Sequence, residues 1–135
     1  MVQKKVLATQ WVQKKERRWD FQMVHHDLWD RDVPSQPSLI DLTIAGKQVP
    51  ALVMPTKQGD VYVLDRRSGK PILPISESPV PASTVPGEFA AKTQPHSSLS
   101  FMPPALTGKD MWGATPLDNL ICRIELRRMT YDGPY

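Results

Sequence analysis

The stretch "SLIDLTIAGKQVPALVMPTKQGDVYVLDRRSGKP", residues 38–71, decides the fold. It contains three short β-rich runs, "SLIDLTI", "VPALVMP" and "VYVLDR", parted by "AGKQ" and "TKQGD" and closed by "RSGKP". Glycine-bearing breaks this short can only join neighbours that run in opposite directions, so the stretch predicts an antiparallel meander. In its last run Val61, Val63 and Leu64 are expected to face inward, with Ser68-Gly69 turning the chain back.

Upstream, "WDFQMV" alternates Trp19, Phe21 and Met23 with Asp20 and Gln22, as a strand with one buried face does. Residues 1–16 show neither a helical apolar stripe nor an N-cap, and read as a poorly ordered lead-in. Downstream, prolines at 74, 79, 81, 86, 95, 103 and 104 argue against regular structure over residues 74–109. Yet "LSF" and "FMPP" carry apolar groups that a free linker does not need, so this segment reads as a long ordered loop laid across a larger body. "LICRIELRRM" then alternates Ile121, Arg123, Glu125 and Arg127 with Cys122, Ile124 and Leu126, which predicts a further strand. The 14 prolines against 7 glycines make long helices unexpected after Pro34. The sum is an all-β chain whose sheet is incomplete, with unpaired edges and little core of its own. No full-length internal repeat is visible.

Composition narrows the function classes. Of the net charge of +3, the first 18 residues supply +5, six basic side chains against Glu16, which leaves the remainder at −2. No basic face interleaved with aromatics follows, so nucleic acid is not an expected partner. Cys122 is the single cysteine, which excludes an intrachain disulfide. The N-terminus lacks the apolar run of a secretion signal and no segment approaches the roughly 20 apolar residues of a membrane span. Expressed alone, the chain is expected to stay in the cytoplasm.

The densest chemistry lies in "HHDLWDRD", residues 25–32. A metal site would use His25, His26 and Asp27 or Asp30, although adjacent histidines on an extended chain point to opposite sides. A solvated polar turn with Trp29 covering the core is the plainest alternative. The third is a carboxylate beside an aromatic, tuned as a general base by desolvation and a nearby cation. Lys57, in the break "PTKQGD", could be that cation or simply a solvated turn lysine.

The segments "WDFQMVHHDLWDRDVPSQPSLIDL", "VPALVMPTKQGDVYVLDRRSGKPILP", "PVPASTVPGE", "TQPHSSLSFMPP" and "DMWGATPLDNLICRIELRRMTYDGPY" resemble, in order, the membrane-bound quinoprotein glucose dehydrogenases, which use pyrroloquinoline quinone (PQQ). The resemblance covers residues 17–135, read as a partial propeller domain, and leaves residues 1–16 as an atypical start. It implies an eight-bladed β-propeller of four-stranded antiparallel blades, of which this chain would hold about one and a half. It implies oxidation of an aldose such as glucose at C1 to the lactone, with electrons passing through PQQ to ubiquinone on the periplasmic side of the inner membrane. By the same resemblance Asp30 is the general base, Lys57 contacts the quinone oxygens, and Trp112 lines substrate or cofactor. His26 could orient the loop that holds Asp30. The Mg²⁺ or Ca²⁺ of the family would be held by ligands largely outside this chain.

Two rivals stand beside this reading. One is a non-enzymatic remnant or interaction fragment that binds other propeller segments; the other is a small metal hydrolase built on His25, His26 and Asp30. Under the dehydrogenase reading the chain alone is expected to be inactive, because the missing blades would supply its core and most of the cofactor site.

Overall fold

The computed structural model describes residues 17–129, 131 and 133, together with the backbone of residues 6–11. Seven strands and one helix follow in the order β1 (Val6–Trp11), β2 (Arg17–Val24), β3 (Ser38–Ile44), β4 (Lys47–Pro55), β5 (Val61–Asp65), β6 (Ile75–Pro79), β7 (Thr93–Ser97) and α1 (Pro116–Arg128). They fall into two compact units, residues 1–102 and 103–135. The sheets hold two, three and two strands, β1-β2, β3-β4-β5 and β6-β7, and every pairing is antiparallel.

The expected meander is β3-β4-β5. Its register runs from Ser38 opposite Val53 to Ile44 opposite Lys47, and from Ala51 opposite Asp65 to Pro55 opposite Val61. Ala45 and Gly46 make the first turn with φ of 49° and 76°. Two consecutive positive φ values are what a two-residue hairpin needs to follow the strand twist. The inward set differs from the expectation. Tyr62 and Leu64 are fully buried, Val63 is buried, and Val61 is only half-buried. With both faces of β5 covered, burial no longer alternates along the strand.

The core joins Met23 and Val24 of β2, Leu52 and Met54 of β4, and Tyr62, with Trp19, Phe21, Val33 and Ile75 packed against it. The Tyr62 hydroxyl donates to the Pro95 carbonyl at 2.8 Å, which ties the core to β7. Burial pushes this phenol well above its ordinary pKa, so it stays a donor.

Three expectations need correction. The lead-in contains β1, which pairs with β2 from Val6 opposite Val24 to Trp11 opposite Arg17; residues 1–5 and 12–16 lie outside the described residues. Residues 74–109 hold the β6-β7 hairpin rather than irregular loop alone. Its prolines fit because the carbonyls of Pro74 and Pro95 are used as acceptors, by the Ser98 amide and the Tyr62 hydroxyl, where no N–H is required.

The segment read as a last strand is helix α1. Thr115 caps it, its hydroxyl accepting from the Asp118 amide while the Asp118 side chain accepts from the Thr115 amide. Pro116 fits the first turn, where its missing N–H costs nothing, and Arg127 and Arg128 lie at the negative end of the helix dipole. Among the described residues no helix is long and apolar enough to cross a membrane.

Candidate active site

The site is built from two breaks in the strands of the first unit. The loop after β2 begins where Gln94, buried on β7, clamps the His25 backbone from both sides. The His25 amide donates to Oε1 at 2.8 Å and Nε2 donates to the His25 carbonyl at 2.6 Å. The two histidines then diverge. His25 Nε2 lies 3.1 Å from Glu77 Oε1 on β6, while the His26 ring stacks on Phe89 at 4.0 Å. They therefore anchor the loop in two directions rather than grip one point. Among the described residues no three His, Cys, Asp or Glu side chains are grouped to hold a metal ion.

Asp27 shapes the rest of the loop. Its carboxylate accepts from the Trp29 amide at 3.0 Å and from the Arg31 amide at 3.0 and 3.1 Å, an Asx-type turn. The Arg31 guanidinium lies over the Trp29 ring, 4.7 Å from its centroid. Between them Asp30 takes φ of 58°, a left-handed conformation that costs a non-glycine residue energy and persists only where its surroundings fix it.

The second break is the turn between β4 and β5. Thr56 closes it, its amide and hydroxyl donating to the Asp60 carbonyl at 3.0 and 2.9 Å. Gly59 is required there: its φ is 95°, and a Cβ would stand 3.0 Å from the Met102 amide nitrogen and 3.1 Å from the Phe101 carbonyl carbon. Asp60, fully buried, holds the turn against β7 through a 2.8 Å contact between Oδ2 and His96 Nδ1.

Lys57 projects from this turn onto the loop. Its Nζ donates to Asp30 Oδ2 at 2.9 Å and to Asp32 Oδ2 at 3.2 Å, and its amide donates to the Asp32 carbonyl at 3.4 Å. The hydrogen bond to Asp30, then the one to Asp32, holds the ammonium above the usual lysine pKa, so it stays charged. The side chains of Asp30, Asp32 and Lys57 are 72%, 56% and 42% exposed. Asp30 and Lys57, singled out in sequence 27 residues apart, are thus in direct contact. Trp112 lies in the second unit with its side chain 79% exposed. Sequence reasoning passed over Asp32, Gln94 and the Asp60–His96 pair. Asp32 had a signal, since it sits two residues from Asp30 inside the same polar octet, whereas the partners on β7 are set only by tertiary packing.

A loop carboxylate and a turn lysine are thus brought together at the ends of antiparallel strands, and the chain belongs to the PQQ-dependent dehydrogenase β-propeller family. Residues 12–135 match the PQQ family of glucose/ethanol/alcohol dehydrogenase β-propeller domains. Among known proteins it is similar to quinoprotein glucose dehydrogenase A of Acinetobacter calcoaceticus, 55% identical over 124 residues, which are 87% of this chain and 16% of that protein. It is also 49% identical to the quinoprotein glucose dehydrogenase of Escherichia coli strain K12 over 116 residues, 85% of this chain and 15% of that one. The quinate/shikimate dehydrogenase (quinone) of Acinetobacter baylyi is 47% identical over 135 residues, 96% of this chain and 16% of its own length. The chain therefore spans about one sixth of the relatives it matches. No solved structure matches it significantly.

Proposed function

We propose that this chain carries the base and the quinone-facing lysine of a PQQ-dependent aldose dehydrogenase that oxidises glucose at C1 to the lactone. The observation that carries the reading is the 2.9 Å contact between Lys57 Nζ and Asp30 Oδ2, made by residues within the family match. PQQ, when bound, supplies the quinone that accepts the two electrons of the oxidation.

The residues present fit that group in part. The Lys57 ammonium, charged and half-exposed, offers N–H donors where negative charge develops on a quinone oxygen. Asp30 would take the proton of the C1 hydroxyl while the C1 hydrogen left with its electron pair as hydride for the quinone that bound PQQ would supply, the C1–O bond becoming a carbonyl. Trp112 contributes a flat apolar surface to substrate or cofactor. A divalent ion needs six to eight oxygens, and these residues do not assemble such a set. In this reading the electrons leave for ubiquinone at the periplasmic face of the inner membrane.

The chain alone is inactive in this reading. Leu39, Ile40 and Ile44 on β3 and Leu117, Leu120, Ile121 and Ile124 on α1 are exposed, and neighbouring blades are what such apolar faces are made to meet.

The test is a graft in which this chain replaces the matching 124 residues of the Acinetobacter calcoaceticus enzyme. Reconstituted with PQQ and Mg²⁺ or Ca²⁺, the grafted enzyme should reduce dye with glucose, and the chain alone should not. Turnover with quinate in place of glucose would overturn the substrate. A folded graft that binds PQQ but oxidises nothing would favour a non-enzymatic remnant.

A further inference from the structure

We propose that Asp32 is a positioning residue, a second counter-ion that draws the Lys57 ammonium off Asp30 so that Asp30 can accept the substrate proton. The proposal rests on the reading of Asp30 as the base. That reading contains a conflict which the geometry resolves. A carboxylate bonded to an ammonium is stabilised in its charged form and is a poorer proton acceptor. Lys57 Nζ donates to Asp30 at 2.9 Å, so a base held this way must lose its partner before it can act.

Asp32 supplies the alternative. Its Oδ2 already accepts from the same nitrogen at 3.2 Å, 0.3 Å farther than Asp30 does. An ammonium carries three donors on a freely rotating head, so moving weight from one oxygen to the other needs only a small displacement. The Asp32 main chain is also tied to the turn, since its carbonyl accepts the Lys57 amide at 3.4 Å. The Asp27 carboxylate fixes the preceding amide, that of Arg31. Asp32 therefore keeps station beside Lys57 through both breaks, while Asp30 is aimed by its left-handed backbone. Among the described residues the charged groups gathered here include Asp27, Asp30, Arg31, Asp32 and Lys57, and of these Lys57 donates to both Asp30 and Asp32.

The experiment uses Asp32→Asn and Asp32→Glu in the grafted enzyme, with two readouts. In the first, the PQQ-free protein is labelled with a trace of acetic anhydride near pH 9 and the lysines are resolved by mass spectrometry. Losing one carboxylate lowers the protonated fraction of Lys57, so its labelling should rise about 1.5- to 5-fold in Asp32→Asn, the span of an exposed ion pair. The second is kcat/KM for glucose against pH. With Asp32 neutral, Lys57 rests on Asp30 alone and a neighbouring negative charge is gone. Both changes favour the ionised base, so the acid limb should move to lower pH by about 0.2 to 0.7 and the plateau should fall. Asp32→Glu should restore the limb and the labelling.

Unchanged Lys57 labelling in Asp32→Asn would overturn the contact. A plateau that falls while the limb stays fixed, with Asp30→Asn inactive, would show a merely structural role and overturn Asp32 alone. Near-normal turnover in Asp30→Asn would bring down the base assignment and this role with it, leaving the labelling change in place.

Discussion

Replacing Gln94 by leucine should loosen the loop that carries Asp30 at its root. The buried amide makes two bonds to one residue, accepting the His25 amide at 2.8 Å and donating to the His25 carbonyl at 2.6 Å. Leucine has nearly the same volume, so the core stays filled while both bonds vanish. Leaving a buried donor or acceptor unmet costs about 1–3 kcal/mol each. His25 is half-buried and water can reach it in part, so the lower half of that range applies. Two such losses come to about 2–4 kcal/mol of local stability, or about 30- to 700-fold at 1.4 kcal/mol per decade. The assay is amide hydrogen exchange in the grafted enzyme, resolved to His25 by fragmentation mass spectrometry. Exchange at His25 should accelerate by that factor while amides of the β3-β4 ladder stay slow. Acceleration of less than about 3-fold would show that packing rather than the clamp holds the loop.

Gly59→Ala should destabilise the β4-β5 turn by about 1–3 kcal/mol, since it puts a side chain at φ of 95° against the Phe101–Met102 backbone; a lowered midpoint in urea unfolding checks this. The Arg67 side chain, then its amide, lowers the Asp65 carboxyl from 3.8 to about 2. A depressed folded-state pKa adds stability that is complete above 3.8 and lost as pH falls toward 2, so Asp65→Asn should cost stability at pH 6 and little at pH 2, as acid titration of unfolding would record.

The meander was legible in residues 38–71 because glycine turns and apolar runs are local signals. The contact of Asp30 with Lys57 was within reach for the same reason, as both lie in breaks that flank those runs. Helix α1 was misread although its signals were present. Leu117, Leu120, Ile121 and Ile124 recur at helical spacing, and Thr115-Pro116 followed by Asp118 is a capping box. The accidental alternation of Cys122, Ile124 and Leu126 with charged neighbours competed with them, and the proline-rich composition tilted the choice. The β6-β7 hairpin was hidden because Pro95 within it and Pro74 just before it satisfy other groups through their carbonyls, which a rule about missing donors does not foresee. On β5 Val63 and Leu64 are buried as expected, while Val61 is only half-buried and Tyr62 was missed, because a strand covered on both faces does not alternate. Gln94, Asp60 and His96 act on segments 36 to 69 residues away, and no local pattern encodes such pairings.

The most direct test of the central claim is Asp30→Asn in the grafted enzyme, with PQQ binding and glucose turnover measured on the same preparation. Asparagine keeps the size of the side chain and much of its hydrogen bonding but cannot take up the proton. Binding should persist while turnover falls by about 10²- to 10⁴-fold. Near-normal turnover with PQQ bound would contradict the account.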